Sequence, residues 1–471
     1  MANLTKTASY DKIKIGGEHL QGGAYMLVSK YTQYLPQDDD TTVIWHSVFG
    51  RVMQIPSQLA DYLKSSQGLS SHDFAKSFGK ETLAILREAH IIVSSAKQER
   101  ADIDDLFVKH NQERKSKVKY LSLIMSEECP FRCVYCIHFA NSKHYYNQEK
   151  MMSFEIAKTS IDNYLKLMLK SGESDFYINF GGGEPLLNYP VIAKILPYIK
   201  ECEDLYGIKI KLGLNTNLSL LTREMAETFA KYDVEIAASL DGTKEGNDKV
   251  RLSKNLTGTY DSIIRGFNLL KELGRPLDGF AMTVTEANLS DVDTEIIDWA
   301  SSLGMTEIRI DIDVVGIVNS PMNEVIKRLA RIREYAAKKG ITVIGFWSRP
   351  AENLGLIPEE DDIGFCGGER GNSLCVAPSG QVFPCGYSNY QLGNYYDIPT
   401  IYNNDAYAKL LKNRNPKNQP EKCQTCPIFG FCRGGCLITK EVNQTSTEKQ
   451  SAMCELYVGM TQAIIRQQVS A

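Results

Sequence analysis

A chain of 471 residues, 43% hydrophobic and 23% charged, is too long for one ordinary domain and has the composition of a soluble globular protein. Its net charge of −4 excludes a general attraction to nucleic acid or anionic membrane. No run of about eighteen apolar residues offers a spanning helix. The opening MANLTKTASYDKIKIGG lacks the apolar core of a signal peptide, so a cytoplasmic, reducing setting is expected. There the twelve cysteines should be metal ligands or reactive thiols, not disulfides. Three lie within 129–136, Cys202 stands alone, and eight run from Cys366 to Cys454.

The first hundred residues read as a small module of their own. Tyr25-Met-Leu-Val-Ser, Thr42-Val-Ile-Trp-His and Arg51-Val-Met-Gln-Ile have strand composition. Ser57 to Lys64 and Lys80 to Arg87 show helical spacing of apolar residues, and Ile91-Ile-Val closes with a short strand. Strands followed by short helices suggest a winged-helix arrangement. DNA binding is disfavoured, because residues 1–110 hold 12 Lys/Arg against 13 Asp/Glu. The module resembles the RiPP recognition element, assigned here to residues 1–100. That resemblance implies binding of the leader of a ribosomally made peptide, added as a strand to an exposed sheet edge. A purely structural cap is the alternative. Ala96 to Lys117, charged and poor in aromatics, reads as a linker.

From 117 to 345 strand-like and helix-like segments alternate. Six strands are expected, at Tyr120–Met125, Phe176–Phe180, Ile208–Leu212, Val234–Ala238, Phe280–Val284 and Glu307–Ile312. Helical patterns cover Phe154–Leu169 and stretches near 190–204, 222–232, 258–273, 290–303 and 321–339. Six βα units make a parallel sheet with function at the carboxyl ends of its strands. After the first strand comes Cys129-Pro-Phe-Arg-Cys133-Val-Tyr-Cys136. Three thiolates are one short of a closed zinc site and suit a four-iron cluster with one iron left open; a zinc knuckle or unrelated core thiols are the other possibilities. After the second strand comes Gly181-Gly182-Gly183-Glu184-Pro185, whose glycines let a ligand approach the backbone.

The pattern CxxxCx(aromatic)C resembles the signature of the radical S-adenosylmethionine (SAM) enzymes, and the segment 182–185 resembles their GGEP motif. The resemblance implies an α/β fold built on a partial (β/α)6 barrel. It further implies that Cys129, Cys133 and Cys136 hold a catalytic 4Fe-4S cluster, and that SAM chelates its open iron and is split to a 5′-deoxyadenosyl radical. Gly182, Gly183 and Glu184 would hold the methionine amino group, and Tyr135 would lie against the adenine. By similarity to the sulfatase-maturing enzymes, Ser239 and Arg251 would meet the ribose and carboxylate; arginine's planar fork suits a carboxylate, and a surface salt bridge is the alternative for Arg251. Asn215-Thr-Asn217 ends the third strand and would approach ribose or substrate, and Ile312 would pack on adenine. Cys202, inside a helical segment, reads as a bystander.

Residues 360–471 carry Cys366, Cys375 and Cys385, then Cys423-x2-Cys426-x5-Cys432-x3-Cys436, then Cys454. Eight thiolates make two sets of four, and on spacing alone two zinc sites would serve. The order resembles the SPASM domain. By that resemblance Cys366, Cys375, Cys385 and Cys436 hold one auxiliary 4Fe-4S cluster and Cys423, Cys426, Cys432 and Cys454 another, three clusters in all. If Cys366 or Cys375 is not a ligand, the first auxiliary cluster has an open iron.

Taken together, these likenesses imply a peptide maturase. The auxiliary clusters would accept the electron that a substrate radical must lose, which favours net oxidation. Sulfatase-maturing enzymes carry an aspartate directly after the cysteine that corresponds to Cys385; here Gly386 and Tyr387 follow. The expectation is therefore thioether formation between a cysteine sulfur and a carbon of the precursor peptide, with carbon–carbon crosslinking or formylglycine formation as alternatives. A flavodoxin or ferredoxin would supply electrons. An iron–sulfur electron carrier with no substrate is the non-enzymatic alternative.

Overall fold

The computed structural model describes residues 25–66, 68–112, 118–137, 150–313, 320–356, 363–413, 418–442 and 447–469. The first twenty-four residues of the front module lie outside them. From Tyr25 the module forms two three-stranded sheets. One sets β1 (Tyr25–Val28) between β5 (Leu69–Ser70) and β6 (Ile92–Val93); the other runs β2 (Thr32–Pro36), β3 (Thr41–His46), β4 (Gly50–Pro56), antiparallel throughout. Three helices, Ser57–Ser65, Ser71–Phe78 and Lys80–Glu88, cover one face of the second sheet and bury Ile44, Met53 and Ile55 against Leu59, Phe74 and Leu86.

The expected linker after this module is largely a helix, Ala96–Gln112. Its apolar residues are sparse, so the sequence alone reads as solvated chain. Tertiary contact decides instead: Ile103 and Leu106 pack against Val48, Phe49 and Phe429, and Glu99 is buried 3.8 Å from the imidazole of His46.

The large sheet has ten strands in the order β13-β12-β11-β10-β9-β8-β7-β14-β15-β16. Its parallel body comprises β7 (Tyr120–Ser126), β8 (Phe176–Gly182), β9 (Ile210–Thr216), β10 (Val234–Ser239), β11 (Gly279–Val284), β12 (Glu307–Ile312) and a seventh strand, β13 (Thr342–Ile344). The partial barrel is thus one short strand longer than the sequence pattern suggests. β9 also starts later than expected, because Ile208 is used in ending the preceding helix: Gly207 turns left-handed and the Ile208 N–H caps the Glu203 carbonyl at 3.1 Å. Alternation along each strand sorts the two faces. Leu121, Leu123, Ile178, Phe180, Leu212 and Leu214 enter one core beneath the helices, and Ile308, Ile310 and Ile312 enter another.

On the other side of β7 the sheet continues into the cysteine-rich region. β14 (Ser373–Val376) runs parallel to β7, with Cys375 opposite Ser122. β15 (Gln381–Phe383) and β16 (Gly393–Asn394) follow antiparallel. No helix of the described residues is long and apolar enough to cross a membrane.

A pH response follows from His46. Its ring is fully buried, Nδ1 accepts from the Val48 and Phe49 N–H groups at 3.1 and 3.2 Å, and burial holds its pKa below the ordinary 6.5. The unfolded chain therefore takes up this proton at a higher pH than the folded chain. The stability of the module falls as pH drops below 6.5. Amide exchange in Thr41–Pro56, corrected for its intrinsic pH dependence, should accelerate between about pH 7 and about pH 5. His46→Asn, which keeps an acceptor near the Nδ1 position, should flatten that response.

Candidate active site at the mouth of the barrel

The loop that leaves β7 is pinned by backbone on both sides. On one side the Gly183 N–H donates to the Ser126 carbonyl at 2.7 Å and the Glu184 N–H to the Glu128 carbonyl at 2.8 Å. The approach is so close that a Cβ on Gly183 would stand 2.5 Å from the Glu128 oxygen, and Gly182 has φ +130 and equally little room. On the other side the Arg132 and Val134 N–H groups donate to the Leu252 and Val250 carbonyls at 2.6 and 2.9 Å, and the Lys254 N–H to the Pro130 carbonyl at 3.0 Å. Between these clamps stand Cys129, buried, and Cys133 and Cys136, half-buried and joined by a turn in which the Cys136 N–H meets the Cys133 carbonyl.

Three groups converge on this loop. The Asn217 side-chain amide donates to Cys129 Sγ at 3.6 Å, as does the Phe131 N–H at 3.4 Å. Glu184 is wholly buried and its carboxylate accepts from Thr216 Oγ1 at 2.7 Å, the Asn217 N–H at 2.9 Å and the Leu186 N–H at 3.1 Å. It therefore ties the ends of β8 and β9 together and aims Asn217 at the loop. Burial pushes its pKa up to about 7 in spite of those donors. The third group is an ion pair: Arg251 Nε and Nη2 donate to Asp241 Oδ2 and Oδ1 at 3.1 and 3.3 Å, both residues buried. Tyr135 Oη donates to the same carboxylate at 2.5 Å, and the guanidinium lies 5.7 Å from the tyrosine ring.

The remaining residues singled out in the sequence take different places. Asn215 is exposed on the inner face of β9, two residues short of the one that reaches Cys129. Ser239 ends β10 half-buried. Ile312 is 5% exposed and packs on the helix side, leaving Arg309 and Asp311, paired at 2.7 Å, on the opposite face of β12. Cys202 lies in the core beneath the helices.

None of the twelve cysteines is joined in a disulfide. Those of the C-terminal region fall into two groups. Cys423, Cys426, Cys432 and Cys454 line a single cavity of ≈ 250 Å³. Cys366, Cys385 and Cys436 lie near enough to oppose one another's ionisation, with Cys375 beside Cys385. Burial pushes the Cys375 and Cys436 thiols up to about 12 and Cys426 to about 11. In the β7 loop it pushes Cys129 up to about 12 and Cys133 to about 11. Thiols so placed resist becoming thiolates unless a bound cation compensates the charge. Among the described residues no three His, Cys, Asp or Glu side chains close on a point as a single ion requires. The donor sets and the cavity fit multi-iron clusters, which span their ligands more widely.

Residues 123–300 match the Radical SAM superfamily, and residues 366–427 match SPASM, an iron-sulfur cluster-binding domain. The chain carries a radical SAM domain followed by a SPASM domain. It is similar to the radical SAM cyclopropyl synthase TigE of Paramaledivibacter caminithermalis, 25% identical over 94% of this chain and 96% of TigE. Among solved structures, native anSMEcpe with bound AdoMet shares the fold with a TM-score of 0.60 at 18% identity, over 74% of this chain and 98% of that one. Streptococcus suis SuiB bound to precursor peptide SuiA does so with a TM-score of 0.52 at 16% identity, over 88% of this chain and 96% of that one.

Sequence reasoning misses one residue of this radical SAM–SPASM site and the part played by another. Asp241 sits in the Ser239-Leu-Asp-Gly stretch but nothing in its spacing from Arg251 distinguishes it from a surface carboxylate. Asn217 lies just beyond Asn215, and only the end of β9 turns it toward Cys129. Removing Asp241 leaves a buried guanidinium without its counter-charge, a loss of about 3–5 kcal/mol. Asp241→Ala should therefore melt well below the parent, Asp241→Asn less so, and the Asp241→Ala/Arg251→Met double variant should recover most of the loss, as read by thermal unfolding of the reconstituted protein.

Proposed function

We propose that this radical SAM–SPASM enzyme matures a ribosomally made precursor peptide by an oxidative radical reaction that forms a new bond within it. The observation that carries this reading is the convergence of Asn217, Glu184 and the Asp241–Arg251 pair on a three-cysteine loop at the carboxyl ends of β7 to β10. With a 4Fe-4S cluster at Cys129, Cys133 and Cys136 and SAM bound to it, the site would supply a 5′-deoxyadenosyl radical able to take hydrogen from an unactivated carbon.

The protein's own part is to hold and exclude. Asn217 and the Phe131 N–H stabilise charge on the Cys129 sulfur. Glu184 fixes Asn217 from behind, and its remaining acceptor capacity is what a SAM ammonium group would use. Arg251 keeps a cation beside Cys133 while Asp241 holds the guanidinium and Tyr135 in one geometry. Gly182 and Gly183 serve by letting two backbones touch. Tyr135, Asn215 and Ser239 remain proposed SAM or substrate contacts, whereas Ile312, on the helix side of β12, does not. Cys366, Cys375, Cys385 and Cys436 would hold one auxiliary cluster and Cys423, Cys426, Cys432 and Cys454 the other. The inner face of the barrel, where Asn179 donates to Ser122 at 3.4 Å and Arg309 pairs with Asp311, would receive the peptide's core segment. Residues 1–100 would take its leader as an added strand, and a flavodoxin or ferredoxin would provide reducing electrons. A cytoplasmic setting suits such a reaction.

Which bond is formed divides the reading in two. Thioether closure from cysteine sulfur to carbon follows from the maturase resemblance. Carbon–carbon closure is favoured by the likeness to TigE, which runs almost the whole length of both chains. Both remove two hydrogens from the peptide. Mass spectrometry of a precursor encoded beside this protein and co-expressed with it should show that loss, together with 5′-deoxyadenosine in the reconstituted reaction. A cysteine that no longer alkylates identifies thioether; full alkylation with the same mass loss identifies carbon–carbon closure. Cys133→Ala should give neither product nor 5′-deoxyadenosine, and a Cys133→Ala enzyme that still modified the peptide would refute the proposal.

A further inference from the structure

The front module is plugged into the cysteine-rich end of the chain. β3 is buried on both faces: Ile44 points to the module's own helices, whereas Val43 and Trp45, one residue to either side, pack against Phe431 and Ile465. This second face is covered by Phe431, from the five-residue loop between Cys426 and Cys432, together with Leu354, Ile363 and Ile465. Phe431 is 0% exposed there. Two residues earlier Phe429 enters a neighbouring cluster with Val48 and Phe49, and Cys423 and Cys426 lie against that same cluster. Two hydrogen bonds fasten the contact at backbone level. Trp45 Nε1 donates to the Pro427 carbonyl at 2.8 Å, and the Gly430 N–H donates to the Ser47 carbonyl at 2.8 Å. A Cβ on Gly430 would stand 2.5 Å from the Val48 oxygen, so the two chains meet with no side chain between them.

Within the catalytic body the loop is steadied by Asn353 Nδ2, which donates to the Phe431 carbonyl at 2.8 Å, and by Arg433 Nε, which donates to the Gly430 carbonyl at 2.9 Å. Its only regular structure is the single turn Phe429–Cys432. It begins and ends at cysteines, and these share one cavity with Cys423 and with Cys454 from the helix Thr447–Val469. Whatever those four sulfurs bind therefore ties both ends of the loop to that helix.

We propose that the group held by Cys423, Cys426, Cys432 and Cys454 is the fastener of the front module, presenting Phe431 as a rigid knob to the outer face of the β2–β3–β4 sheet and Phe429 as another to the turn between β3 and β4. Occupied, it locks the module to the catalytic body; emptied, it lets the knobs go and the module loosens. Resting on the proposed role of that module in leader recognition, the same linkage makes precursor engagement conditional on an intact C-terminal site, so that a damaged enzyme releases its substrate instead of starting a radical reaction on it.

The test is hydrogen–deuterium exchange on the full-length, reconstituted protein, and it needs no precursor. In Cys454→Ala, whose substitution lies on the helix Thr447–Val469 and not in the loop, exchange in Thr41–Pro56 should rise roughly tenfold or more while β8 to β10 stay protected. Phe431→Ala should loosen the same segment with iron content and the iron–sulfur electron paramagnetic signals unchanged. That variant separates the knob from the cluster. Unchanged exchange in Thr41–Pro56 for either variant overturns the proposal, and so does loosening spread evenly over the whole chain in both. If the maturase reading were wrong the exchange result would still stand. If it is right, both variants also lose modification of a leader-bearing peptide, and Phe431→Ala does so while retaining 5′-deoxyadenosine release.

Discussion

The active-site loop of this protein has no secondary structure of its own to rely on, and its geometry is imposed by neighbouring backbone. Residues 126–128 are held by the N–H groups of Gly183 and Glu184, and residues 130–134 by the strand-like run 250–254. Three thiols on an unsupported loop would sample many arrangements, and ordering them would cost on the order of 1–2 kcal/mol per residue. Here that ordering is provided before any ligand arrives. The glycine-rich segment is thereby given a structural meaning: it is thin so that a second chain can lie on it.

Electrostatics reinforce the same arrangement. Two carboxylates stand at the ends of β8 and β10, on either side of β9, in very different surroundings. Glu184 is held by neutral donors and burial lifts its pKa toward neutrality, whereas Asp241 faces a guanidinium, a phenol and the Thr283 N–H at 2.8 Å. The first connects β8 to β9, and the second connects β10 and β11 to the 250–254 run. Each buried charge thus spans a junction between elements that must stay in register for the sulfurs to converge. This is why the polar groups at the barrel mouth act as positioning elements, with the open inner face left to the substrate.

Much of this was readable in the residues themselves. Alternating Val, Ile, Leu and Phe located six parallel strands because a strand buried under helices leaves a clear apolar trace. The cysteine spacings located the loop and the C-terminal sets because ligand geometry restricts sequence more tightly than packing does. What escaped depends on distant neighbours. β13 and β14 are three and four residues long and are strands only because β12 and β7 offer them a hydrogen-bonding edge. The helix Ala96–Gln112 is too polar to announce itself and is stabilised by the face it presents to Val48, Phe49 and Phe429. Asn217 and Asp241 acquire their roles from the turn of a strand end and from an arginine ten residues away, and neither leaves a periodic signature.

One further consequence concerns β14. Because it lies alongside β7, the first strand of the barrel is an interior strand, with its amides and carbonyls occupied on both sides. A shortened chain ending before residue 366 would uncover the donors and acceptors that Tyr120–Leu123 now share with β14, beside the apolar side chains of Leu121 and Leu123, the kind of bare border on which misassembly between molecules begins. The radical domain and the cysteine-rich domain are therefore one folding unit in the sense that matters for solubility, and the boundary between them is a seam running through a continuous sheet.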